Sequence, residues 1–486
     1  MSNNMGCRNF KLLVLICVLV LQMSLAACGG GSGGSSGAGV GGSDPAPTFP
    51  VVVFTDLHFN PFYDPSLFSA LKAADSGQWA SIFQTSGVTT PSAWGADTNY
   101  PLLALTMSAV RQNSGASPLV IFTGDILGHY LPQTFYTLNG SSVLNPTPAD
   151  VAAMKAFTDK AVAFVMAQVR AAAGSVPVMF ALGNADSYTG LGPDATFLAN
   201  TAQLYYTQFL NGTVDRQAFL STFTAGGYYS ADMANTDLTL IGMNTFEFSP
   251  PNPYMSDMST AVYAQLDWLD SALASARTRG RKVWLLMHVP PGADIYSTAR
   301  SADSNGRLTS ATMMWNADYQ TRFLQILSRY PGLVTFTLGA HTHMDEYRIV
   351  SDDIVLDTTP GIAPYFGNNP AFKVFTVSRG TLKALDYRSL NYDLATRPAQ
   401  FDTYYTFSSA YSLSGYLSDS LMHLYPWFRI DPNKQASYRG SYFSGHNYTV
   451  PTGNMSFPIT DTTWPVYSCG IGNMDAQSLI DCVNSY

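Results

Sequence analysis

Seven histidines occur in the 486 residues, and five of them follow directly on apolar runs. His58 lies in "FTDLHFNPFYD", His129 in "FTGDILGHY", His288 in "LLMHVPPG", and His341 with His343 in "LGAHTH". Only His423 and His446 lie elsewhere. Asp56, Asp125 and Asn184 occupy equivalent places at the ends of such runs. A lone histidine there is usually a hydrogen-bonded structural residue. Five of them, accompanied by two carboxylates and an amide oxygen, form a donor set of the kind divalent transition metals prefer, large enough for two ions. Two cations about 3.5–4 Å apart lower the pKa of a bridging water and clamp phosphoryl oxygens, which favours an in-line displacement at phosphorus.

Such donors need elements to hold them, and from Pro50 the chain reads as strand, loop and helix in repetition. "PVVVFTD" (Pro50 to Asp56) is a β-branched run ending in a polar loop. "SPLVIFTGD" (Ser117 to Asp125) has the same shape and follows the helical "PLLALTMSAVRQ". The Ala-rich stretch Asp150 to Ala173 has apolar residues three and four apart, as in a helix, and leads into the strand "VPVMFALGN". "TDLTLIGMNT", "RKVWLLMHVP" (after the helical "TAVYAQLDWLDSALASAR") and "LVTFTLGAHTH" follow. "YRIV" with "DIVLDTTP" forms a hairpin, and "AFKVFTVS" a further strand. The polar residues fall at the carboxyl ends of apolar strands, where open α/β sheets place their sites. After about Asn391 the chain becomes aromatic, turn-rich and weakly periodic, which marks a C-terminal extension whose secondary structure is not readable. There is no internal repeat, and the length suits one large α/β domain with a smaller one.

The order Asp-x-His, Gly-Asp-x-x-x-His, Gly-Asn, His and His-x-His resembles the calcineurin-like metallophosphoesterases. "TDLHFNPFY", His288-Val289-Pro290-Pro291-Gly292, "HTHMDEY" and "IAPYFGNNPAFKVF" (Ile362 to Phe375) resemble the acid sphingomyelinase-like branch in particular. The resemblance covers about residues 49 to 390, and no saposin-like region precedes it. It implies an α/β fold, a four-layer α/β/β/α sandwich with a C-terminal extension over 391–486. Carried over by position, it implies one metal on Asp56, His58 and His343, a second on Asn184, His288 and His341, and Asp125 bridging both. Zinc is the ion expected from imidazole-rich ligation, and iron or manganese suits the same donors. His129 is placed near the phosphate, as a supporting donor or as the acid that protonates the leaving group.

The departures from the family pattern bear on substrate. Most members have His after the Asn, facing the substrate as general acid; here the residue is Ala185. Loss of a general acid typically costs about 10²–10⁴-fold on a demanding leaving group. A phosphoanhydride such as a nucleotide or polyphosphate has a weakly basic leaving group and needs little protonation. Ala340 stands where Gly is usual and is expected to be tolerated, and Asn60 where an acidic residue is common. The leading reading is a phosphodiester hydrolase; phosphoanhydride hydrolysis, phosphomonoester hydrolysis and a metal-binding lipoprotein without turnover are the alternatives.

The N-terminus carries an address. Arg8 and Lys11 precede the apolar "LLVLICVLVL", too short to span a bilayer comfortably and suited to an export signal. Leu25-Ala26-Ala27-Cys28 resembles the lipobox of bacterial lipoproteins, which implies cleavage over 1–27 and a lipid anchor at Cys28. A tether follows over 28–48; its Gly/Ser stretch of about 15 residues spans roughly 20 Å. Gly29 in place of Asp favours the outer membrane. Cys7 and Cys17 leave with the signal, so Cys469 and Cys482 remain to pair in an oxidising compartment. Under the bacterial reading that the lipobox resemblance implies, the sequons at Asn139, Asn211, Asn447 and Asn454 are chance matches. A net charge of −8, with 46% hydrophobic and 12% charged residues, argues against a nucleic-acid partner.

Overall fold

The computed structural model describes residues 47–250, 258–446 and 458–486. The export signal with Cys7 and Cys17, the anchor position Cys28, its Gly/Ser tether, and Asn447 and Asn454 lie outside them.

Strands and helices alternate through the first three hundred described residues. The strands are β1 (Thr48–Phe54), β2 (Val120–Phe122), β3 (Val178–Phe180), β4 (Tyr229–Asp232), β5 (Leu238–Gly242), β6 (Lys282–Leu286), β7 (Val334–Gly339), β8 (Glu346–Ser351), β9 (Ile354–Thr358), β10 (Ala371–Ser378), β11 (Ala384–Asn391) and β12 (Asp402–Thr406). They form two six-stranded mixed sheets, ordered β12-β11-β10-β1-β2-β3 and β4-β5-β6-β7-β9-β8. In the first, β1, β2 and β3 run parallel, while β10 pairs antiparallel with β1. In the second, β5, β6, β7 and β9 are parallel, and β8 closes as an antiparallel hairpin on β9.

The period-2 pattern of β6 defines the layers. Trp284 and Leu286 point into the core shared with Val51, Val53 and Phe375 of the first sheet. Val283 and Leu285 point the other way, onto Val262 and Leu266 of the helix Ser259–Thr278 and Phe323 of the helix Ala317–Ser328. Phe336 of β7 meets Phe375 of β10 edge-on at 4.9 Å, joining the two sheets face to face. The helices Tyr100–Ser114 and Pro148–Ala173 pack on each other outside the first sheet. The result is the expected four-layer α/β/β/α arrangement. The long helix starts where Thr147 and Asp150 exchange a capping box before Pro148, and stops at Gly174, whose φ of 71° is open to glycine.

Three strands carry no readable sequence signal. β4 has four residues, β11 is half polar, and β12 is an exposed edge, so none has the apolar run that marks the buried strands. The region beyond Asn391 forms short helices, among them Leu417–Leu424, Pro432–Tyr442, Trp464–Gly472 and Ala476–Asn484. Their aromatic residues are buried on several sides, which erases the amphipathic period. Cys469 and Cys482 are joined by a disulfide. Trp464–Gly472 packs against β8 and against the helix Ile295–Ser301. Among the described residues no helix is long and apolar enough to cross a membrane.

Candidate metal centre

The centre lies where the carboxyl ends of the two sheets meet. β1 ends in Asp56 and His58, β2 in Asp125 and β3 in Asn184; on the other sheet β6 ends in His288 and β7 in His341 and His343. Asp56, His58, Asp125, His341 and His343 all take left-handed backbone conformations, with φ of 49°, 39°, 59°, 76° and 63°. Non-glycine residues adopt these only when neighbouring structure imposes them. At Asp56 and His58 the hydrogen bonds Asp56 N to Gly124 O (3.0 Å) and His58 N to Asp125 O (2.9 Å) hold that conformation. Close approach also explains Gly183, where a Cβ would run into the Asp125 carboxylate.

The donor atoms converge. Asp56, His58 and His343 form one cluster and Asp125, His288 and His341 another, the ligand atoms within each lying no more than 4.8 Å apart. Asn184 Oδ1 joins the second cluster, 3.2 Å from His288 Nε2. The Asp125 Oδ2 atom sits between the clusters, 3.1 Å from His58 Nε2 and 3.2 Å from His288 Nε2. Three of the imidazoles have Nδ1 tied to a backbone carbonyl: His58 to Leu127 (3.0 Å), His288 to Thr123 (2.8 Å) and His343 to Ala363 (3.1 Å). An N–H donated from Nδ1 leaves the Nε2 lone pair facing the centre, the arrangement that orients metal-binding histidines. His58 Nε2 and His343 Nε2 face each other at 3.1 Å, and buried Asp56 Oδ1 has no hydrogen-bond partner. An orphaned carboxylate oxygen and converging imidazole lone pairs are the signature of a cation site, and the donors suffice for two divalent ions.

Electrostatics agree with that chemistry. Burial opposes the charge on His58 and His288, but Asp125 outweighs it, holding His58 well above the usual histidine range and His288 at about 9. Burial, with His288 alongside, takes His341 down to about 4, and burial takes His343 to about 3, so both are neutral at ordinary pH. Asp56 is held at about 2 because His343, His58 and His288 overcome the effect of burial.

Sequence reasoning missed two further carboxylates. Asp186, buried, accepts backbone N–H bonds from Asp125 (3.1 Å), Ile126 (2.7 Å) and Gly183 (2.9 Å), tying the ends of β2 and β3 together. Burial and the charge of Asp125 push it up to about 7. Its signal was available, since it is the fourth residue of Gly183-Asn184-Ala185-Asp186. Asp97 accepts from His129 Nδ1 (2.7 Å) and from the His129 backbone N–H (2.8 Å). Its position follows from the bridges that Phe59 makes to Thr98 and to Leu127, a contact no local pattern announces. The His129 ring stacks on His58 at 4.0 Å and on Tyr365 at 4.1 Å.

Two of the departures are benign. Ala340 is buried and lies outside the left-handed region, its N–H bonded to His288 O at 2.9 Å, so glycine is not required there. Asn60 accepts the Phe62 N–H at 2.9 Å and serves the loop. Ala185 donates its N–H to Asp125 Oδ1 at 2.7 Å, leaving Oδ2 for the centre. The donors open into a cleft with about 810 Å³ of empty space, walled by His129 and Phe366, by Asp294 and Tyr296, and by Tyr442 and Tyr467 from the C-terminal region.

The calcineurin-like phosphoesterase family matches residues 49–345, more than half of the chain, and the protein belongs to that family. It is a phosphoester hydrolase. Similar proteins include the cyclic GMP-AMP phosphodiesterase SMPDL3A of Rattus norvegicus, 24% identical over 89% of this chain and 91% of the relative. Another is the sphingomyelinase phosphodiesterase C of Dictyostelium discoideum, 23% identical over 64% of this chain and 65% of the relative. Among solved structures, a dimetal phosphatase from Danio rerio is similar over 71% of this chain and 100% of its own, with 14% identity and a TM-score of 0.39.

Proposed function

We propose that the protein is a dinuclear metal-dependent phosphodiesterase. Asp56, His58 and His343 would hold one ion, Asn184, His288 and His341 would hold the second, and Asp125 would serve both. The observation that carries this reading is Asp125 Oδ2, within 3.2 Å of an imidazole nitrogen from each cluster. Two divalent ions held there would supply an activated water and charge neutralisation for attack at phosphorus. Zinc is the ion proposed, because the donor set is rich in imidazole.

The chain's own groups do the rest. The carbonyls of Leu127, Thr123 and Ala363 fix the imidazole orientations, and the Ala185 N–H holds one Asp125 oxygen so that the other faces the centre. His129, fixed by Asp97 and standing in the cleft wall, delivers the proton to the leaving oxygen that the family's missing histidine would supply. Relatives named as phosphodiesterases support the diester as substrate. Ala185 favours a second reading, phosphoanhydride hydrolysis, in which the leaving group needs no acid.

The test compares hydrolysis of sphingomyelin, bis(p-nitrophenyl) phosphate and ATP by the soluble form beginning after Ser43, with metal content determined on the same sample. Diester cleavage with two bound ions is expected. The variant Asp125→Ala should lose both ions and activity, and retention of both ions at full rate would refute the bridge. We also propose export, a lipid anchor at Cys28 and attachment to the outer membrane, with a catalytic domain over 49–390 and a C-terminal subdomain over 391–486. Cys28→Ala should release the protein from membranes, and unchanged membrane recovery would refute the anchor.

A further inference from the structure

The cleft wall beyond His288 differs in character from the wall that carries His129. After the turn at Gly292 the chain places Asp294 at the N-cap of the helix Ile295–Ser301, and Asp294, Ile295 and Tyr296 all line the cleft. Asp294 is held in place: Oδ1 accepts the Ser297 N–H at 3.0 Å and Oδ2 accepts the Ser297 hydroxyl at 2.6 Å. None of the described residues lining the cleft is lysine or arginine, and apart from the metal-facing Asp125 the only carboxylate is Asp294. The segments 251–257 and 447–457 contain no lysine or arginine either. Two arginines lie nearby and both are engaged: buried Arg348 donates to Pro291 O at 2.6 Å and to Glu346 at 3.2 Å, and Arg300 lies over the Tyr296 ring and donates to its hydroxyl at 2.6 Å.

Sites that take polyphosphates or phosphorylated substituents commonly set arginine or lysine against the additional phosphates. None of the described residues lining this cleft is of that kind, and Arg300 beside it is held by Tyr296. We propose that Asp294 is a specificity-determining residue that acts as a charge filter. A phosphodiester whose only anionic group is the reacting phosphate is admitted with an uncharged or cationic organic substituent, and a substituent bearing a further phosphate is repelled. Rejection by an unpaired like charge is a general route to specificity. The inference rests on the metal-dependent phosphodiesterase reading, and it narrows that reading away from nucleoside polyphosphates.

The test uses a matched pair, thymidine 5′-(p-nitrophenyl) phosphate and the same compound carrying a 3′-phosphate. Reacting ester and leaving group are identical, so the ratio of the two kcat/KM values reports the added 3′-phosphate, and its change on neutralising Asp294 reports the charge. The wild-type protein should prefer the singly charged ester by about tenfold or more, the scale of one charge–charge contact in a partly desolvated cleft. Asp294→Asn keeps the helix cap and should shrink that ratio by about three- to tenfold. Asp294→Ser, also a good cap, should do the same. Calorimetric binding of thymidine 5′-phosphate against thymidine 3′,5′-bisphosphate gives a readout without turnover, and the wild-type discrimination should fall in both variants. A wild-type ratio near one, or a ratio unchanged in both variants, overturns the filter while leaving the phosphodiesterase reading intact. Failure of the wild-type protein to cleave either ester would instead strike that underlying reading, and with it the filter.

Discussion

The Asp97–His129 pair offers the sharpest test of how the protein manages without the family's histidine at position 185. Both Asp97 oxygens are engaged, Oδ2 by the His129 backbone N–H at 2.8 Å and Oδ1 by Nδ1 at 2.7 Å. In Asp97→Asn the amide must turn its NH₂ toward one of those donors, so one bond is lost and two N–H groups face each other. A hydrogen bond to a charged group contributes about 1.5–3 kcal/mol. At about 1.4 kcal/mol per factor of ten, that corresponds to roughly 10- to 150-fold in rate. If His129 protonates the leaving oxygen, the loss concentrates on poor leaving groups, because good ones depart without an acid. Steady-state kcat/KM for thymidine 5′-(p-nitrophenyl) phosphate and thymidine 5′-phenyl phosphate separates the cases. We expect a loss of about threefold for the first and about 100-fold for the second, with metal content unchanged. An equal loss on both esters would mean that Asp97 serves binding or folding, and the acid assignment would fall.

Other expectations follow from the metal centre and from one buried cluster beyond it. Ala185→His should raise turnover of the phenyl ester more than that of the p-nitrophenyl ester, and a uniform change would remove the leaving-group argument. Loading the metal-free protein at neutral pH should release protons, because His58 and His288, raised by Asp125, must give theirs up to become ligands. Calorimetry in two buffers of different ionisation enthalpy reads this directly, and identical heats would contradict it. For the metal-free protein the sign is that of a raised histidine: the stability from His288 is complete below about 6.5 and fades as pH rises through about 9. A separate pH effect belongs to the buried trio Asp345, Lys373 and Asp357, in which one ammonium lies 2.8 and 2.7 Å from two carboxylates. Burial, with Asp345 nearby, pushes Asp357 up to about 7 despite Lys373. Its contribution to stability is therefore complete below about 3.8 and is lost as pH climbs through about 7. Urea titrations should show a flatter stability profile between those limits in Asp357→Asn, and an unchanged slope would refute it.

The donors were legible in the sequence because each ends a run of apolar residues buried on both faces, such as Val51 to Phe54 or Val283 to Leu286. Continuous burial makes a parallel strand conspicuous, and a polar residue at its end is equally so. The hairpin of β8 and β9 and the strand β10 were visible for the same reason. β11 and β12 were not, since their register depends on β10 beside them rather than on their own pattern. Asp97 and Asp294 were silent because loops carry no period. Only the fold reveals that one touches His129 and that the other shares a cleft with residues at the ends of β2 and β7. Tyr442 and Tyr467 were hidden by the aromatic density around them.

The division of the donors between the sheets has a consequence in time. Asp56, His58, Asp125 and Asn184 come from the first sheet, whereas His288, His341 and His343 come from the second. Under the proposed assignment each ion draws ligands from both, so neither half of the chain holds a finished site. In a chain that emerges amino end first, Asp56 is exposed 287 residues before His343 completes its cluster. On that assignment metal capture waits until the two sheets have closed on each other, because neither sheet alone holds a full set of ligands.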